Sequence, residues 1–188
     1  MTTKSAGLVV FCSAILLGSL GATTGSRDEL PVRSGSPVRP FRERVATYTQ
    51  LRQQIITNLL ENGIDPNADE GREFRTRLGL SIREARRRAQ PGEIFSAEVA
   101  GHIREVVWNT LQGEDEILSE VPEVPTVRVN DFYPEGEPLS SVPASLLEQL
   151  EPLPPELQYR FLATALILLD IDTALIVDFI PNAFERSS

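Results

Sequence analysis

Apolar residues set the first half of this chain out as helices and the last third as strands. Phe41, Val45, Tyr48, Leu51, Ile55, Ile56, Leu59 and Leu60 recur at three- and four-residue spacing, which predicts an amphipathic helix closed by Gly63. Asp65-Pro66-Asn67 reads as a turn. A second helix is predicted from about Asp69 to Ala89, with Phe74, Leu78, Ile82 and Ala85 on one face and Gly79 weakening its middle. Pro91-Gly92 breaks the chain, and Ser96 is placed to cap a third helix to about Gln112, with Glu98 favoured by the dipole of the first turn. Val99, Ile103, Val106, Val107 and Leu111 form its apolar stripe.

After Gly113 the texture changes, because nine of the 14 prolines lie from Pro122 onward. Val124 to Asn130 shows the alternation of a strand, a turn-rich passage runs to Val142, and Pro143 suits the start of a short helix that ends before Pro152. The densest apolar sequence follows, from Leu157 to Ile180. Residues 166–171 and 174–180 are runs of strand length joined at Asp172 and Thr173, and 159–162 adds a third strand across Ala163-Thr164, a link that lacks the Asn-Gly signal of a tight turn. Both faces of the last two strands are apolar, so they need cover on two sides, from helices of the first half or from a second copy of the chain. The expected fold class is α+β, an N-terminal three-helix half packed on a small C-terminal antiparallel β-meander. A membrane span over this run is opposed by Asp170, Asp172 and Asp178, each of which costs about 2.5–3.5 kcal/mol near the bilayer centre.

With 188 residues and 41% hydrophobic content, the chain is read as one domain with dispensable ends. Residues 1–22 have the form of a signal peptide: Lys4, an apolar run from Leu8 to Leu20, and small residues near Gly21 and Ala22. Residues 23–40 read as a disordered linker, 41–112 as the helical half, and 113–188 as the Pro-rich loops, short helix and strands of the same domain. The implied location is periplasmic or secreted. Cleavage removes Met1, Lys4 and Cys12, so the mature chain has no thiol, disulfide or lysine. The net charge of -9 is divided unevenly, +3 up to His102 and -12 from Ile103 onward. The expected export and net acidity argue against nucleic acid, and the charge asymmetry leaves two readings, an Arg-rich half packed beside an acidic half or an acidic C-terminal surface for a protein partner.

The C-terminal third carries "YPEGEP", "LPPELQYRF", "LILLD" and "LIVDFI", and PGEIFSAEVA stands in the middle of the chain. In these motifs it resembles a family of uncharacterised exported bacterial proteins. Ala163-Thr164-Ala165 stands where that pattern has a glycine-containing turn. The resemblance implies an exported compartment and a helix-plus-sheet architecture, and it assigns no catalytic residue.

His102 is the only histidine and lies beside the stripe of the third helix, which argues against triads and zinc or copper centres. Asp170-Ile171-Asp172-Thr173 after LILL resembles the nucleophile loop of haloacid-dehalogenase-like enzymes, but only sixteen residues follow Asp172, too few for their parallel domain. The motif is read instead as a hairpin turn, with Asp170 and Asp172 as the candidate ligands should a calcium or magnesium ion bind. Asp178, between Val177 and Phe179, needs a partner, and Arg160 on the first strand is the expected ion pair. Trp108 is expected in the core or in a helix contact rather than as a sugar-stacking platform. No catalytic or cofactor-binding residue is assigned. The leading reading is a non-enzymatic binding module of the cell envelope or periplasm, with a homodimer as a further expectation. The alternative is a carboxylate-dependent, metal-assisted hydrolase.

Overall fold

The computed structural model describes residues 38–112, 121–122, 124 and 126–185. The expected signal peptide, most of the linker and the acidic stretch 113–120 lie outside the described residues.

Helix α1, Val38–Glu61, begins three residues before the expected Phe41, with Pro40 in its first turn, where a missing N–H costs nothing. It ends as the sequence predicts. Gly63 takes φ 78°, and Ile64 N–H and Gly63 N–H donate to the Leu59 and Leu60 carbonyls at 3.0 Å each, a Schellman closure.

The second helix is shorter than its apolar periodicity predicts. A 3-10 turn, Ala68–Gly71, leads into α2, Arg72–Ala85, and the chain leaves the helix at Arg86 with φ -103°. Gly79 marks a close approach: a Cβ there would lie 3.0 Å from the Phe132 ring and 3.2 Å from Thr173. Helix α3, Ala97–Leu111, is capped by Ser96, whose Oγ accepts from Val99 N–H at 3.5 Å, and it buries Val99, Ile103, Val107 and Leu111. Trp108 on this helix is not part of the core, remaining 38% exposed. The short helix α4, Ala144–Leu147, follows Pro143 and buries Leu146.

Strands β1 (Leu157–Leu162), β2 (Ala165–Asp170) and β3 (Leu175–Ile180) form an antiparallel meander in the order β1-β2-β3. The turn between β1 and β2 holds Ala163 at φ 50°, a conformation that favours the glycine it lacks. The second connection has four residues, Ile171 to Ala174, between the paired Asp170 and Leu175. Leu168 pairs with Asp178 but Leu169 pairs with Ile176, so Val177 is an extra residue, a β-bulge. The segment 124–130 does not form the expected strand among its described residues. Asn130 at φ 64° turns the chain onto the open edge of β3, where Asn130 N–H donates to Ile176 O (2.9 Å), Ile176 N–H to Asp131 O (2.9 Å) and Tyr133 N–H to Ala174 O (2.7 Å).

The two apolar faces of the sheet are covered within one chain. Leu157, Tyr159, Phe161, Leu166, Leu168, Leu175, Val177 and Ile180 join the core of α1, α2 and α3. Phe95 stacks between Phe41 and Tyr159, with ring centroids at 5.7 and 6.4 Å, and ties α1 to β1. On the far side Leu162, Ala165, Ile167, Leu169 and Ile176 pack with Tyr133, Val124, Val127 and Phe179. The Pro-rich passage therefore supplies the second cover that sequence reasoning sought from helices or from another copy. Among the described residues no helix is long and apolar enough to cross a membrane.

Candidate functional site

The polar groups that a mechanism would draw on gather where α1, the chain after α2 and the ends of β2 and β3 meet. Tyr48 and Arg52 stand one turn apart on α1, inside its apolar stripe, and point at the end of β2. Asp170, fully buried there, accepts from Tyr48 Oη at 2.8 Å, Arg52 Nε at 2.8 Å and Thr173 N–H at 3.1 Å. Asp172, 49% exposed at the side chain, accepts from Arg52 Nη2. The sequence-predicted pair of aspartates is thus brought together, but by a guanidinium that occupies the place a hard cation would need between them. Among the described residues no group of three or more His, Cys, Asp or Glu side chains is placed to hold a metal ion.

Electrostatics at this cluster follow from burial and proximity. Burial raises the Tyr48 hydroxyl far above its ordinary value, and the neighbouring Asp170 carboxylate pushes it further. For Arg52 burial acts to lower the guanidinium, but the charge and hydrogen bond of Asp170, with Asp172 behind it, outweigh that, so its net shift is upward. Arg52 stays charged and Tyr48 stays neutral throughout the ordinary pH range. Chemically Arg52 and Tyr48 act as a clamp on Asp170, and neither of these two donors is poised to exchange a proton near neutrality.

Asp178 does not pair with Arg160. The bulge at Val177 shifts the phase of β3, so Asp178 faces the helices, and its carboxylate accepts from Gly92 N–H at 2.9 Å, Ile94 N–H at 2.7 Å and Phe95 N–H at 2.8 Å. Arg160 lies on β1, two strands away and on the opposite face, and donates to Gln158. The acid therefore needs no cation: a turn of backbone donors supplies its charge balance.

Arg86 links the two carboxylate sites. Its guanidinium lies 5.4 Å from the centroid of the Tyr48 ring and donates to Asn130 Oδ1 (3.2 Å) and the Val177 carbonyl (3.0 Å), while Glu93 is 3.5 Å away. Of the three consecutive arginines at 86–88, Arg87 and Arg88 are exposed and Arg86 is half-buried. Sequence reasoning missed Arg52 and Arg86. The signal for Arg52 was present, since a charged residue between Tyr48 and Ile55 on an apolar stripe needs a buried partner. No comparable signal marks Arg86. His102 is exposed at the rim of a small cleft of about 30 Å³ beside Phe41, Val99 and Tyr159.

A different kind of feature lies on the acidic half. The loop Pro134 to Ser141 is held from within, because Tyr133 Oη donates to Pro138 O at 2.8 Å and buried Ser140 Oγ donates to Phe161 O. Outside these anchors Glu135, Glu137 and Leu139 face solvent, Leu139 at 57%. No family model matches this chain, and comparison with curated proteins and with solved structures finds no match.

Proposed function

We infer that this protein is a non-enzymatic binding module of an exported compartment, which engages a protein partner through its acidic C-terminal half. The observation that carries the reading is the buttressed loop. A partly buried hydrogen bond from Tyr133 and a buried one from Ser140 fix a segment that presents Glu135, Glu137 and a largely exposed Leu139. A loop fixed before contact loses little entropy on binding, and Leu139 adds exposed apolar area beside the two carboxylates. The aspartates that would serve a hydrolase, Asp170 and Asp172, are held by Arg52, and Asp170 also by Tyr48 and Thr173 N–H, which further supports binding over catalysis. Export rests on the signal-like residues 1–22.

Native mass spectrometry of the chain recovered from its own host's exported fraction tests this. The expected spectrum shows a chain shortened near Ala22 with a protein mass added. The triple substitution Glu135→Lys, Glu137→Lys and Leu139→Ala is expected to lose that mass with its thermal midpoint unchanged. An unprocessed chain in the cytosol, or a partner retained by the triple variant, would overturn the reading.

A further inference from the structure

We propose that the partner of the 135–139 loop is a second copy of this chain, and that the loop of one copy seats in the cleft between α2 and the 129–131 segment of the next; this rests on the loop being the contact surface. Charge carries the argument. Residues 72–88 hold seven arginines against Glu73 and Glu84, a net charge of +5, whereas residues 131–156 hold six acids and no basic residue. Within one chain Arg83 lies 4.0 Å from Asp131, but Glu135, Glu137 and Arg88 form no ion pair among the described residues. Surfaces of opposite sign that stay unpaired in one copy attract those of the next.

The cleft suits the loop. Its volume is about 510 Å³, and Arg83 and Arg87 line it beside Leu80, Ala89 and Val129. Leu80 is 52% exposed and Leu139 57%, so placing Leu139 of one copy against Leu80 of another takes apolar surface of both from water. Glu135 and Glu137 then meet Arg83, Arg87 and the unpaired Arg88. Glu84 and Asp131 also line the cleft, but their pairs with Arg87 and Arg83 join side chains that are all 46% exposed or more, and exposed pairs exchange partners at little cost. The loop is anchored to Phe161 of β1, while α2 approaches Phe132 beside β3, with β2 between. A copy's own loop and cleft thus lie across the sheet from each other, and the contact is head-to-tail. Each pairing leaves one loop and one cleft open, to add further copies or to close a ring. A contact made by one largely charged loop is weak and sensitive to salt.

Sedimentation velocity of the purified exported chain tests this. At roughly 50 mM salt the chain is expected to sediment faster as its concentration rises, and at roughly 500 mM salt to sediment as a monomer throughout. Two charge-reversed variants decide the pairing: Glu135→Lys with Glu137→Lys, and Arg83→Glu with Arg87→Glu. Each alone is expected to be monomeric with a normal thermal midpoint. Mixed in equal amounts they are expected to associate again, because the acidic loop of the second fits the basic cleft of the first, and the basic loop of the first fits the acidic cleft of the second. Should the cleft variant fail to fold, Arg87→Glu with Arg88→Glu, both at exposed positions, takes its place. The proposal is overturned by a chain that stays monomeric at low salt, by self-association that either reversal leaves intact, or by a mixture of the two variants that does not associate. A monomer whose exported fraction carries a different protein, lost with the 135–139 triple variant, overturns self-pairing and leaves the loop standing as a contact surface; a monomer with no added mass there overturns both.

Discussion

Asp170 and Asp178 are both fully buried on the helix-facing side of one sheet, yet they are satisfied by opposite means. Asp170 depends on side chains, the Arg52 guanidinium and the Tyr48 hydroxyl, with one backbone donor from its own hairpin. Asp178 depends chiefly on the backbone of another segment, the N–H groups of Gly92, Ile94 and Phe95, with Phe179 N–H of its own strand as a fourth donor. In the first case two residue choices hold the carboxylate. In the second the carboxylate holds a loop, the one that leads into α3 and carries Phe95 into the aromatic stack with Phe41 and Tyr159. Removing an acid from a set of backbone donors strands every donor at once, whereas removing one side-chain partner leaves the other contacts standing.

The largest effect is therefore expected at Asp178. Asp178→Ala removes the acceptor of four N–H groups, three in the 92–95 segment and that of Phe179 on its own strand, at about 1–3 kcal/mol for each left buried, so a loss of about 4–6 kcal/mol is expected in urea unfolding. That approaches the whole stability of a small domain. Asp178→Asn, which keeps one oxygen, should fall between wild type and Ala. A loss at Asp178→Ala smaller than that at Arg52→Met would break the comparison, because the loop would then be held by its apolar anchors alone.

Next in size is Arg52→Met, which leaves the buried Asp170 charge with Tyr48 and Thr173 and is expected to lose about 3 kcal/mol. Adding Asp170→Leu should recover part of that, because the unpaired charge goes with it. A double-mutant cycle is expected to show coupling of about 1–3 kcal/mol between the two positions. Additive losses would mean that Asp170 is satisfied without Arg52 and that the two carboxylates are held alike.

The same contrast separates what sequence could reveal from what it could not. The helices, the caps at Gly63 and Ser96 and the three strands follow from apolar spacing and local chemistry, which act over a few residues. Arg52 was readable in principle, as a charge within an apolar stripe. The partner of Asp178 was not, because backbone N–H groups are present at every residue except proline and leave no mark in composition. The bulge at Val177 had no sequence signal either, and without it the alternation of β3 assigns Asp178 to the wrong face. The short reach of α2 has the same origin, since Arg86 leaves the helix where its guanidinium meets Val177 O and Asn130, contacts 91 and 44 residues away in the chain.

The smallest effect concerns pH, because a titrating hydroxyl touches Asp170 and none touches Asp178. Burial, and then the Asp170 charge, raise Tyr48 well above its usual 10.0. Burial raises Tyr159 as well, and Glu151 adds to it. The unfolded chain releases these protons near pH 10, while the folded chain retains them, so above that pH the unfolded state binds fewer protons and stability falls as pH rises. Below pH 10 both hydroxyls are neutral in either state and add nothing to the slope. The expected loss is about 1.4 kcal/mol per pH unit for each of the two tyrosines until its folded value is reached. Tyr48→Phe should lose about 1 kcal/mol near neutrality through its missing hydrogen bond, yet decline less steeply in alkali, by one proton's worth. Urea unfolding of both proteins from roughly pH 8 to pH 11 reads this directly. Parallel curves would mean that Tyr48 titrates with solvent, and that the Asp170 clamp, like the Asp178 loop, has no titrating member.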